Sequence, residues 1–138
     1  MEIRYPATIE PQEDGGFLAQ FVDFDNIFTQ GETLEDAQFN AAEVLSGMLG
    51  WMMDKGKEIP APSQRVKGAY YIAPDAKTQA ALLVRQARGE RTLSELARAL
   101  QTSWPAAKRL EDARHWPTLR ALDRAAAALG KRLMLSLE

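Results

Sequence analysis

Between Arg91 and Arg114 the sequence RTLSELARALQTSWPAAKRLEDAR holds two short runs of helical apolar spacing on either side of a polar break. Leu93, Leu96, Ala97 and Leu100 fall on one face of the first run, Ala107 and Leu110 on one face of the second, and Gln101-Thr102-Ser103 interrupts them. Ala97 is small at the point where two such helices would cross closely. Thr102 or Ser103 can cap the second helix, and Pro105 is acceptable in its first turn, where backbone N–H groups lack helical partners. The spacing predicts a helix-turn-helix, a shape whose second helix enters the major groove of DNA. The competing reading is an ordinary helical hairpin in a core. Gln101 stands where such turns commonly use glycine, and a left-handed residue there costs about 1 kcal/mol.

Charge separates this stretch from the first half of the chain. Residues 1–64 carry Arg4, Lys55 and Lys57 against twelve acidic residues, a balance of −9; residues 65–138 carry fourteen basic and seven acidic, a balance of +7, and together they give −2. An acidic module beside a basic one suggests that only the second meets a polyanion. Pro60-Ala61-Pro62-Ser63-Gln64 is the clearest linker signal. The 138 residues are read as two domains, 1–72 with the linker 60–68 included, and 73–138. With no cysteine and one histidine, His115, neither a disulfide framework nor a Cys/His metal site can be built. No apolar run approaches the length of a membrane span and no basic-then-apolar leader opens the chain, so a cytoplasmic protein without a membrane partner is expected.

In the first module Ile3, Tyr5, Ala7 and Ile9 alternate with polar residues as a half-buried strand should, Gln12 to Gly16 supplies a turn, and Phe17 to Val22 forms the second strand of a hairpin. After the loop Asp23-Phe24-Asp25-Asn26, Ile27 to Gln30 is a third strand ended by Gly31. Thr33 then caps a helix whose apolar positions Leu34, Ala37, Ala41, Val44, Leu45, Met48, Leu49 and Met52 run to Lys55, with Gly56 as its stop. Ala69 to Ile72 is short and β-prone and is expected to return as the last strand of the same sheet. Strands followed by one helix give a small α+β layer. Glu10, Asp23, Asp25 and Glu32 lie near strand ends, but nothing in their spacing makes three or four carboxylates converge on a Mg²⁺ ion; solvated loop acids are the simpler reading. With no phosphate-binding glycine loop and no nucleophile-plus-base set, the module is read as non-catalytic and without a cofactor.

The second module continues with Ala73-Pro74-Asp75 as a turn and cap, a helix striped by Ala76, Ala80, Leu83, Val84 and Ala87 up to Arg88-Gly89, the helix pair, and a further helix from Trp116-Pro117-Thr118 to Leu129-Gly130. Lys131 to Leu137 alternates as a strand should. A lone strand after a helical bundle lacks a partner in its own module, so Leu133, Leu135 and Leu137 are expected to pair with the same strand of a second copy; pairing with the first sheet is the rival arrangement.

YPATIEPQEDGGFLAQFVDFDNIFTQGETLEDAQFNAAEVL followed by IPAPS resembles the N-terminal domain of HicB-type antitoxins, through Gly15-Gly16-Phe17, the Asp23 loop, Gly31 to Ala37 and Ile59 to Ser63. TLSELARAL with RLE after the turn is similar to the lambda-repressor-like helix-turn-helix of Xre-type regulators, and Thr118 to Leu137 matches the C-termini of HicB proteins that carry it. The resemblance implies an α+β fold: a degenerate RNase H-like sheet and helix, followed by an all-α helix-turn-helix bundle with a C-terminal dimerisation strand. It implies an antitoxin that captures a HicA-type toxin, a small basic mRNA-cleaving protein that uses a histidine. It further implies that a homodimer or higher oligomer represses its own operon by binding operator DNA.

The candidate toxin-facing residues are Asp23, Phe24, Asp25 and Glu32, with Phe24 an apolar anchor if exposed. Thr102, Ser103, Trp104 and Lys108 would face the groove, Arg109 would reach a guanine edge or a phosphate, and Arg91, Thr92 and Arg114 would flank the helices at phosphates. Two other classes stay open: a ligand-sensing transcriptional regulator with a non-catalytic first domain, and an RNase H-like nuclease guided to DNA, which the missing carboxylate constellation disfavours.

Overall fold

A computed structural model describes residues 3–138. The chain divides into two compact units, residues 1–75 and 76–138. Pro60 to Gln64 therefore lies inside the first unit.

In the first unit the strands β1 (Tyr5–Pro11), β2 (Phe17–Phe21), β3 (Phe28–Gly31) and β4 (Tyr70–Ile72) form one antiparallel sheet in the order β3-β2-β1-β4. The hairpin register sets Ala7 opposite Phe21 and Pro11 opposite Phe17. Gly15 and Gly16, both at positive φ (99° and 78°), close the turn, a conformation that costs glycine little. The third strand begins one residue later than the sequence suggests. Its approach runs through Asn26, held at φ 60°, and asparagine is among the few non-glycine residues that tolerate this.

One helix, α1 (Leu34–Asp54), packs on the sheet. Thr33 caps it by accepting a 3.0 Å hydrogen bond from Asp36 N. Ala37, Ala41, Leu45 and Leu49, four residues apart, are fully buried against Tyr5, Ala7, Ala19 and Phe21 of the sheet's inner layer. The small residues let the helix start close to β3. A Cβ added at Gly31 would lie 2.3 Å from the Ala37 nitrogen, so only glycine fits there. The segment after α1 is pinned rather than free: the Tyr5 hydroxyl donates to Pro60 O (2.7 Å), and the Tyr71 hydroxyl donates to Ser63 O (2.8 Å).

The second unit is all helical: α2 (Ala76–Arg88), α3 (Leu93–Ala99), α4 (Trp104–Arg109) and α5 (Leu119–Ala128). Val84, Leu96, Ala97, Leu100, Ala107 and Leu129 form its core, with Ala87, Leu93, Leu110, Leu122 and Ala128 packed around them. The stripe expected on α2 is partly misplaced: the helix buries Thr78, Ala81, Leu82 and Val84. Thr92 and Glu95 cap α3 reciprocally, Ser103 caps α4 and Thr118 caps α5.

Three helices end in the same way. Beyond α1, α3 and α5 a left-handed residue lets the following N–H reach back five residues: Lys57 to Met52 O, Thr102 to Ala97 O and Lys131 to Ala126 O. The left-handed residue is Gly56 and Gly130 in two of them and Gln101, φ 54°, in the third.

Residues 131–138 form no strand, and the four-stranded sheet contains none of them. This corrects two expectations for this single chain: the tail is not a formed strand, and it does not join the first sheet. A strand needs a ladder of backbone partners, and one copy offers the tail none.

Candidate functional site

The turn between α3 and α4 exposes the candidate DNA-reading residues. Gln101, Thr102, Ser103, Trp104, Lys108 and Arg109 are all solvent-exposed, while Ala107 on the inner side of α4 is buried. Ser103 spends its hydroxyl as an acceptor for Ala106 N (3.2 Å), which fixes where α4 begins. Trp104, with 46% of its surface exposed, carries Lys108 one turn on, the ammonium 5.7 Å from the ring centroid. A cation over an indole face is held by the ring quadrupole and loses little of its ability to meet an anion. The Arg109 guanidinium has no hydrogen-bond or ion-pair partner among the described residues.

The flanking residues are more committed. The Thr92 hydroxyl accepts from Glu95 N (3.1 Å), and Arg91 donates to the carbonyls of Ala87 (3.3 Å) and Leu129 (3.2 Å). Arg114 donates from Nε to Asp112 Oδ1 (3.0 Å), and its backbone N–H donates to the same oxygen (2.9 Å). These bonds from Arg114 hold the Asp112 carboxyl below the usual carboxylate value.

One basic residue outside the candidate set belongs to the scaffold. Arg88, at the end of α2, donates to both carboxylate oxygens of Glu111 (2.6 and 2.9 Å), with only 18% and 8% of the two side chains exposed. Its other terminal nitrogen donates to Arg91 O (2.5 Å). The fork ties α2 to the turn that follows α4, fixing the exposed helix to the unit's frame. The hydrogen bond to Glu111 raises the Arg88 pKa further.

In the first unit the four candidate toxin-facing residues do not form one patch. Phe24 is a correction: it is 7% exposed, its ring centroid 5.0 Å from Tyr5 and 6.3 Å from Phe21. The loop folds inward to complete an aromatic cluster, so Phe24 is core. Asp23 is half-buried, and its carboxylate accepts from Ser63 N (2.9 Å) and from the Ser63 hydroxyl, anchoring the Pro-rich segment. Asp25 and Glu32 are exposed. Glu32 lines a shallow groove of about 670 Å³ with Asp14, Phe17, Gln30, Asp36 and Asn40.

The sequence reading missed two aromatic residues near this groove's elements. Phe28 on β3 and Phe39 on α1 are 59% and 66% exposed. Phe39 was detectable, because it falls between the buried positions Ala37 and Ala41 and therefore off the helix's inward stripe. Phe28 sits on an edge strand, which has sheet on one side only. Among the described residues no group of three or more His, Asp or Glu is placed to hold a metal ion, and no helix is long and apolar enough to cross a membrane.

The second unit's exposed apolar residues cluster differently. Met134, Leu135 and Leu137 in the tail are exposed, Leu137 completely, and Leu133 is half-buried.

Comparison with known proteins bears on these surfaces. The chain is 32% identical over 135 residues to Antitoxin HicB of Escherichia coli strain K12, covering 96% of this chain and 98% of that protein. It matches Antitoxin HicB of Escherichia coli O157:H7 equally well. It is 30% identical over 138 residues to Antitoxin HicB 1 of Photorhabdus laumondii subsp. laumondii, covering 99% of this chain and 88% of that one. Residues 4–80 match the family described as the HicB-like antitoxin of bacterial toxin-antitoxin systems. An acidic sheet-and-helix unit joined to a basic helical one, matched along nearly its whole length, belongs to the HicB-like antitoxin family.

Proposed function

We propose that the chain is a non-catalytic antitoxin with two binding faces: the first unit captures and occludes a HicA-type mRNA-cleaving toxin, and the second binds operator DNA as a dimer and represses the operon. The observation that carries the DNA half is the exposed set Thr102, Trp104, Lys108 and Arg109, in and after the turn into a short helix whose following turn is tied to α2 by Arg88 and Glu111. Rigid presentation of a few polar and cationic side chains is what base and phosphate contacts require. Arg91, Thr92, Ser103 and Arg114 serve it as helix-end and backbone contacts, with Thr92 and Ser103 also fixing the helix starts.

Charge supports the division of labour. The acidic first half suits a basic toxin and disfavours DNA, while the second half carries fourteen basic residues. On the first unit, Glu32, Asp14 and Asp36 around the groove, with the exposed Phe39 of α1 as an apolar contact, make a better toxin-docking face than the loop around Asp23. Asp25 lies at that loop's exposed tip and contributes charge; Asp23 acts by holding the Ser63 segment. A ligand-sensing regulator would need an enclosed pocket with converging polar groups; the groove beside Glu32 and another beside Arg91 and Glu95 are both open to solvent.

Fluorescence anisotropy with DNA from upstream of the chain's own gene tests the DNA half. Specific binding that weakens steeply with salt is expected, and equal affinity for unrelated DNA at all salt concentrations would refute it.

A further inference from the structure

Among the described residues four helices end on a left-handed residue: Gly56 after α1, Gly89 after α2, Gly130 after α5 and Gln101 after α3. Lack of space does not select the glycines, since a Cβ on Gly56 or Gly130 would meet nothing within 4 Å. The backbone angle does, because an L side chain at positive φ crowds the carbonyl that follows it. Gln101, at φ 54°, therefore carries a strain that glycine avoids at the same place in the same motif. Nothing inside the chain offsets it. Gln101 is exposed, and its carboxamide makes no hydrogen bond among the described residues. The bonds that close the turn are backbone ones that glycine would make equally well: Gln101 N–H donates to Arg98 O (3.1 Å) and Thr102 N–H to Ala97 O (2.9 Å). The fold needs the left-handed backbone at 101 and makes no use of the side chain standing on it.

A strained residue that its own fold does not require points to what its side chain meets outside the fold. Gln101 directly precedes the exposed Thr102, Ser103 and Trp104 at the turn into α4. We infer that the Gln101 carboxamide contacts DNA, its Nε2 donating a hydrogen bond to an acceptor, a phosphate oxygen or a purine N7, beside the bases that α4 faces. This rests on the DNA reading proposed above and adds to it a residue retained at a cost in stability. A neutral donor brings direction without charge, so the contact bears on how the duplex is seated and little on the general attraction of a basic unit for a polyanion.

Full-length Gln101→Gly and Gln101→Ala are compared with the unaltered chain on DNA from upstream of its own gene. Gln101→Gly should melt at a higher temperature yet bind that DNA about fivefold more weakly, the usual worth of one neutral hydrogen bond. Gln101→Ala keeps the strain and loses the carboxamide, so it should bind as weakly as Gln101→Gly without melting higher. The slope of affinity against salt should be unchanged in both, because no charge is removed. Unaltered affinity in both variants overturns the contact. Weaker binding by Gln101→Gly alone overturns it too, by tracing the effect to a looser turn. Upstream fragments with single methylphosphonate links or single 7-deazapurines then locate the acceptor. The modification that weakens the unaltered chain but not Gln101→Ala marks a phosphate in the first series and a base in the second; no such position in either series overturns the assignment. An unaltered chain that binds upstream and unrelated DNA alike overturns the DNA reading itself, and this contact with it, before any variant is made.

Discussion

Replacing Glu111 by alanine should do more damage than any single change at the exposed face of α4. The carboxylate receives two hydrogen bonds from Arg88, at 2.6 and 2.9 Å, and the pair is largely withdrawn from water. Removing one member of a buried pair leaves the other charge without compensation, at a cost of about 3–5 kcal/mol. Here the arginine keeps its bond to Arg91 O and is 18% exposed, so the lower end, about 3 kcal/mol, is the expected loss. Urea denaturation followed by circular dichroism measures it, with the midpoint moving and the slope unchanged if the unit still unfolds cooperatively. A double-mutant cycle with Arg88→Met separates the pair's coupling from the burial of either side chain. Because the clamp positions α4, operator affinity should fall in the same variant even at low denaturant. A stability loss below about 0.5 kcal/mol would show that the fork is solvated and does not hold the helix.

Four further outcomes follow from individual residues. Burial, with the Asp23 charge adding to it, pushes the Tyr5 hydroxyl up to about 12, so the neutral phenol is favoured in the folded chain. Its stabilisation is fully present below pH 10 and is lost as pH rises from 10 towards 12, by up to about 2–3 kcal/mol; Tyr5→Phe should lose that part of the alkaline dependence in pH-resolved melts. Gln101→Gly should relieve the left-handed strain at φ 54° and stabilise the second unit by up to about 1 kcal/mol, and a lower melting temperature would contradict it. Arg109→Ala should weaken operator binding by about 1–3 kcal/mol, with relaxed sequence choice if the side chain reads a base. Arg114→Ala should weaken binding to all sequences and lower the salt slope by about one unit; an unchanged slope would remove it from the phosphate contacts.

What was legible in the sequence was local. The hairpin turn at Gly15-Gly16, the caps Thr33 and Ser103, and the i, i+4 stripe from Ala37 to Leu49 are each written in a few neighbouring residues. Even the absent glycine at Gln101 correctly marked a strained turn. What could not be read depends on residues far apart in the chain. Phe24 becomes core because Tyr5 and Phe21 stand where the loop folds back; Asp23 is drawn off the surface by Ser63, and Arg88 by Glu111. On α2, alanines on several faces make the apolar stripe broad, so its inward side was placed about one residue off. The tail's alternation was plain, but a strand exists only when a second strand completes it.

The most direct test of the two-faced antitoxin is a titration of the chain into an RNA-cleavage reaction run by the HicA-type toxin from the same operon. Cleavage should fall to background near one equivalent of antitoxin, and Phe39→Asp should shift the curve to higher concentration while leaving operator binding intact. Full cleavage in the presence of excess folded chain would contradict toxin capture, whatever the second unit does with DNA.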